Sequence, residues 1–172
     1  MPDSAPSSVT ANPATTNPSH TSAGHHIVDV SKAGGLEKVT SFGTNAPVDP
    51  GELLSGMALV AGNYRDPAGG TPVLFIGVDH VPEDTSKRRE HLFRGMLEHV
   101  QWDPELGQPE SQPVDPGPLG GSVECLLASL AEEGNVLCGW ADEKTAGVAL
   151  FENMTVEAAS RTFAAMRRDI ER

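Results

Sequence analysis

Cys125 and Cys138 constrain this chain more than any other feature. They are its only cysteines, and each lies in a strand-like run, Val123 to Leu130 and Asn135 to Trp140. A bridge between them staples a β-element and stabilises it by about 3 kcal/mol in the chain-entropy account. It also implies an oxidising compartment. Two reduced core thiols and a pair of zinc ligands are the alternatives. A structural zinc takes four ligands, and no C-x-x-C or H-x-x-x-H spacing supplies the others, so the disulfide is the reading adopted. It carries one geometric condition. A tight turn at Glu133-Gly134 sets Cys138 opposite Ser129, so the bridge requires a longer loop, a bulge, or strands that are not hairpin partners.

Around this element the chain reads as one α+β domain over residues 25–172, preceded by a disordered spacer over 1–24. The spacer is Pro-, Ser- and Thr-rich, with Val9 its only large apolar side chain after Met1, and cannot bury enough surface to offset its ordering entropy. Short strands are predicted at His26 to Val30 and Lys38 to Phe42. A hairpin follows, Gly56 to Tyr64 and Thr71 to Val78, around the turn-forming Asp66-Pro67-Ala68-Gly69-Gly70. Pro82 and Asp84 then open a helix whose apolar face is Leu92, Phe93, Met96, Leu97 and Val100. Residues 101–118 carry five prolines and four acids without periodicity and read as a flexible acidic loop, mobile or functional. Beyond the cysteine strands, Ala146 to Phe151 is a third strand. Thr155 caps a second helix with a stripe of Val156, Ala159, Phe163, Met166 and Ile170, and Arg167, Arg168 and Arg172 lie near its dipole's negative end.

A constant 76 residues separates Tyr64 from Trp140 and Phe75 from Phe151. This suggests a strand-strand-helix unit used twice, and hence an antiparallel sheet with both amphipathic helices on one face.

A net charge of −12 disfavours nucleic acid, which requires clustered Lys and Arg, and equally an anionic membrane surface. No apolar run approaches the ~20 residues of a membrane span, and no signal-peptide pattern is present. An extracytoplasmic protein of this sequence needs an anchor or signal outside these residues, and membrane association is expected only through such an anchor.

No catalytic constellation, cofactor motif or metal motif stands out. There is no G-x-S-x-G elbow, the Gly-Gly pairs read as turn chemistry, and the acids lack EF-hand spacing. The six histidines form no H-E-x-x-H and read as exposed or interfacial residues. Asp79-His80, at a strand end, is the best pair for general acid–base work; with the acids of 101–118 as a lid it defines the enzyme alternative, a small hydrolase or metal-dependent enzyme. Trp102, Trp140 and Asp142 are candidate binding residues, Trp102 beside the acidic loop and the other two at a strand end. Against this, a Trp beside a disulfide is more often core packing, and the preferred reading of Trp102 is that it closes the first helix. Asn153-Met154-Thr155 is a formal glycosylation sequon at a helix start.

Residues 25–172 resemble a recurrent group of actinobacterial membrane-anchored proteins of unknown function. The resemblance rests on His26, Ala33-Gly34-Gly35, Gly117-Pro118-Leu119-Gly120-Gly121, the C…C-x-W-A-D run ending at Asp142, Thr145-Ala146-Gly147 and the Arg-rich terminal helix. In that group a transmembrane helix and a low-complexity linker precede a small extracellular α+β domain. The resemblance implies an exported, anchored domain with a disulfide and brings no catalytic residues. With the spacer and the absent catalytic set, it points to a non-enzymatic extracytoplasmic binding domain whose partner is a cell-envelope or secreted protein.

Overall fold

The computed structural model describes residues 24–172; the spacer expected over 1–24 lies outside them except for Gly24. The elements in chain order are β1 (Lys32–Ala33), β2 (Leu36–Ser41), β3 (Ala58–Arg65), β4 (Val73–Asp79), α1 (Thr85–His99), β5 (Ser111–Val114), β6 (Ser122–Ala128), β7 (Gly134–Ala141), β8 (Ala146–Met154) and α2 (Val156–Ile170). All eight strands form one sheet in the order β1-β2-β3-β4-β8-β7-β6-β5, and every neighbouring pair is antiparallel. This is the predicted α+β class. Both helices start where their caps predict: the Asp84 carboxylate accepts from the Ser86 N–H, and the Thr155 hydroxyl accepts from the Ala158 N–H.

The helices lie on opposite faces of the sheet, which corrects the expectation of one shared face. On β7, Val136, Cys138 and Trp140 pack with Phe163, Met166 and Ile170 of α2. The intervening Leu137 packs with Leu92, Phe93 and Met96 of α1. Alternate residues of a strand face opposite ways, so the two helices sandwich the sheet. The physical reason is visible in the strands themselves. All seven residues of β4 are buried, and β7 and β8 carry long apolar runs. A sheet covered on one side alternates polar with apolar; continuous apolar strands require cover on both sides.

The strand order is two-fold about the β4–β8 seam, where Leu74 pairs with Leu150 at the same 76-residue offset. A two-fold axis normal to the sheet keeps equivalent helices on one face, so the helices break the repeat that the strands suggest.

The expected loop at 101–118 contains regular structure. Single 3-10 turns form at Pro104–Leu106 and Gly117–Leu119, and Ser111–Val114 pairs with β6 as the terminal strand. Pro113 is tolerated there because an edge strand has one side without a partner to donate to. His26 to Val30 form no full strand. Instead the segment clasps the C-terminus: Ile27 bridges Glu171, and the His26 and Arg172 backbones exchange two hydrogen bonds.

Candidate functional site

Cys125 and Cys138 stand directly opposite each other in the β6–β7 pair and form the disulfide, with Cα atoms 4.1 Å apart. The geometric condition is met by a longer loop, since the last strand partners are Ala128 and Asn135 and a wide turn joins them. The bridge is fully buried on the α2 face.

Beside it, at the end of β7, the chain turns through Asp142. Asp142 Oδ1 accepts from the N–H groups of Lys144 and Thr145 and contacts the Thr145 hydroxyl at 2.8 Å, the side-chain-to-backbone pattern that makes Asp a turn former. The backbone carbonyl of Asp142 accepts from the Thr85 hydroxyl at the start of α1. From α2, Arg167 Nε donates to Glu171 Oε1 at 2.7 Å, while Arg167 Nη2 lies 3.6 Å from Asp142 Oδ2. The guanidinium also donates to the Gly120 carbonyl and stacks over the Trp140 ring. The N-terminal segment adds His25, whose Nδ1 is 3.5 Å from Asp142 Oδ2 and 4.0 Å from Glu171 Oε2. Three separate parts of the chain, the Asp142–Thr145 turn, the end of α2 and the N-terminal segment, thus converge on two carboxylates.

Counting protons at Thr145 shows that one of the two carboxyls carries a proton, and the opposite pKa directions of Asp142 and Glu171 say which. Its Oγ1 is 2.8 Å from Trp140 Nε1, 2.8 Å from Asp142 Oδ1 and 2.6 Å from Glu171 Oε2. A hydroxyl donates once and accepts twice, and the indole N–H can only donate. Two ionised carboxylates would compete for the single hydroxyl proton. All three contacts are satisfied when Glu171 is a neutral acid that donates to Thr145, which in turn donates to ionised Asp142. The titration behaviour agrees. Burial first, and then the neighbouring Asp142 carboxylate, push Glu171 up to about 8. Burial alone would raise Asp142 as well, but its neighbours, with the Thr145 hydroxyl and the turn amides donating to Oδ1, outweigh it and hold that carboxyl below its usual range. The cluster is therefore Arg167⁺ with Asp142⁻, bridged by a neutral Glu171.

One polar atom is left over. Asp142 Oδ2 is buried and makes no hydrogen bond, and the Asp142 side chain is 7% exposed. The same residue lines a cavity of about 680 Å³ with His25, Thr85, Ser86, Ser122, Glu143 and the Pro118 to Gly121 turn. Gly121 is required there. It has φ +74°, and a Cβ on it would meet the Ala141 carbonyl at 2.5 Å.

Of the sequence-predicted site residues, Asp142 reaches this cavity. Trp140 is fully buried; it donates its N–H to Thr145, and Gly147 leaves room for its ring. Trp102 closes α1. Its N–H reaches the Leu97 carbonyl, Gln101 before it adopts φ +59°, and its indole donates to the Gly107 carbonyl, a Schellman-type end. The ring also lines a separate cavity of about 390 Å³ with Arg94, Leu97, Glu98 and Pro104. Asp79 is buried and His80 exposed. β5, in the acidic segment, stands four places from β4 in the sheet, roughly 19 Å at one strand spacing per place.

Among the described residues, two groups have donor atoms within 4.8 Å of one another and could hold a metal ion: His25, Asp142 and Glu171, and His26, Asp79 and His80. Sequence reasoning missed Thr145, Glu171 and His25 as site residues because their proximity is tertiary. Arg167 left a signal, since it falls inside the apolar stripe of α2 four residues before Glu171. No family model, curated protein or solved structure matches this chain. Among the described residues no helix is long and apolar enough to cross a membrane.

Proposed function

We propose that residues 25–172 act as a non-enzymatic extracytoplasmic binding domain, held from a membrane by an anchor and spacer, and that the ligand enters the cavity above Asp142. The disulfide is consistent with an oxidising compartment, and the resemblance to anchored actinobacterial domains supports the export reading. The single observation that carries the site assignment is the buried Asp142 Oδ2 without a hydrogen-bond donor. Buried polar groups are almost always paired, and a ligand ammonium entering past His25 supplies the missing donor. The ligand class is a small polar molecule bearing a protonated amine. Glu143 on the cavity wall and the net charge of −12 favour the same sign.

The test is amide chemical-shift mapping with ethanolamine, L-lysine and spermidine as probes. At least one is expected to shift Gly120, Gly121, Ser122 and Glu143 saturably, and Asp142→Asn to abolish the response. No shift at millimolar probe, or equal shifts in Asp142→Asn, overturns the assignment.

A further inference from the structure

A second cluster lies on the exposed flank where the N-terminal segment crosses the end of β4. Its centre is Asp79, 4% exposed. Each carboxylate oxygen is held by a backbone amide: Oδ2 accepts from the Ile27 N–H at 2.9 Å, and Oδ1 from the His80 N–H at 2.6 Å. A carboxylate oxygen accepts more than one contact, so these bonds orient the group and leave lone pairs outward. His26 Nδ1 is 3.4 Å from Oδ1, and the His26 and His80 ring centroids are 5.1 Å apart. Both imidazoles are exposed.

We propose that His26, Asp79 and His80 form a binding site for a divalent transition-metal ion of the zinc class. Two imidazole nitrogens and one carboxylate oxygen are a donor set that suits zinc, cobalt, nickel, copper and iron over calcium and magnesium. Ligand atoms bound to one ion at about 2.0–2.2 Å stand roughly 3.3 Å apart in tetrahedral geometry. The His26–Asp79 separation already matches. All three donors lie within 4.8 Å, and rotation of the exposed His80 side chain closes the rest. The backbone favours this placement. His80 has φ +57°, a left-handed conformation uncommon for a residue other than glycine, and the turn that imposes it sets the His80 ring beside His26. The two amides that pin Asp79 are the outer-shell support that ligating carboxylates use.

The other His-and-acid cluster is a weaker host. Its carboxylates already serve the buried Arg167 cation, with which a metal would compete. In the flank cluster three protein donors leave coordination positions open to water or to a donor from a partner. Because His26 belongs to the N-terminal segment and Asp79-His80 to the sheet, the ion also ties the domain's entry segment to β4. This site is separate from the cavity above Asp142 and does not depend on that assignment.

The experiment titrates the full metal-stripped chain with Zn²⁺ by calorimetry, and with Co²⁺ by its visible absorption. One ion per chain is expected, with affinity reduced roughly ten- to hundred-fold or more in His26→Ala and in His80→Gly. Glycine at position 80 relieves the backbone, so loss of binding there is not loss of fold, and circular dichroism confirms it. His91→Ala and His99→Ala leave binding unchanged, and Mg²⁺ and Ca²⁺ do not compete. Zn²⁺ raises the melting temperature of the wild type and not of His80→Gly. The proposal is overturned if no saturable one-to-one binding occurs, if both histidine variants bind within two-fold of wild type, or if binding follows His20 or His25 instead.

Discussion

On one face of the sheet, α2 lays Phe163, Met166 and Ile170 against Phe75, Trp140 and Phe151. On the other, α1 lays Leu92, Phe93 and Met96 against Leu74, Ile76 and Leu137. Both helices have fifteen residues and both bury arginine, but in different ways. Arg88 and Arg89 of α1 run their stems along the core and spend their heads at its rim, on the Pro50, Glu52 and Ser122 carbonyls and on the partly exposed Glu83 and Glu124. Arg167 of α2 is 2% exposed, and its acidic partners Asp142 and Glu171 are buried with it. A rim charge keeps part of its hydration. An interior charge is held by its partners alone, so the α2 face is where loss of one partner leaves another stranded.

Arg167→Met tests that contrast most severely. It removes the only guanidinium beside ionised Asp142, and loss of one partner in a buried pair costs about 3–5 kcal/mol. Urea denaturation should show this loss, while Arg88→Met costs about 1 kcal/mol, because its acidic partner Glu83 returns to water. Equal losses from the two faces would dissolve the distinction.

The disulfide lies on the α2 face and joins β6 to β7. Cys125→Ala with Cys138→Ala should lower stability by about 3 kcal/mol from loop closure, measured by the same denaturation. A change under 1 kcal/mol would mean that α2 and the strand register hold that face without the bridge.

The comparison also marks where the sequence was legible. Local signals were: Asp84 and Thr155 opened the helices, Asp-Pro-x-Gly-Gly opened the β3–β4 turn, and the two cysteines proved to be partners. The face each helix covers is written in the strands, as continuous apolar runs such as Val73 to Val78, whereas the 76-residue repeat points to one shared face. β5 was hidden because Pro113 argues against a strand everywhere except at an edge. The carboxylate cluster was hidden for a different reason. Asp142, Glu171 and His25 come from a turn, a C-terminus and an N-terminal segment, and no spacing rule connects them before the sheet brings them together.

Glu171 gives the α2 face a pH dependence between about 4.5 and 8. Its folded value of about 8 lies above the ordinary 4.5, so between those values the folded chain holds a proton that the unfolded chain has released. Its contribution to stability is full below about pH 4.5 and is lost as pH rises to about 8. Glu171→Gln should flatten this slope, because an amide can donate to Thr145 as the neutral acid does. Glu124→Gln, the acid facing Arg89, should leave it intact. A wild type whose stability is level between pH 5 and 8 would refute the neutral-acid assignment.

The smallest effect expected is one on which the two faces agree. Helix capping satisfies orphan N–H groups within a single turn, so its value depends on the local bond and not on what the helix covers. Thr155→Ala removes the hydroxyl that accepts from the Ala158 N–H and should cost about 1 kcal/mol. Asp84→Ala removes the corresponding acceptor for the Ser86 N–H and should change stability in the same direction. Neither should alter the pH slope, because neither side chain touches Glu171, Asp142 or Arg167. If Thr155→Ala does flatten that slope, then fraying at the start of α2 reaches its last turn, and the charge cluster depends on the whole helix and not on the C-terminal clasp at Ile27 and Glu171.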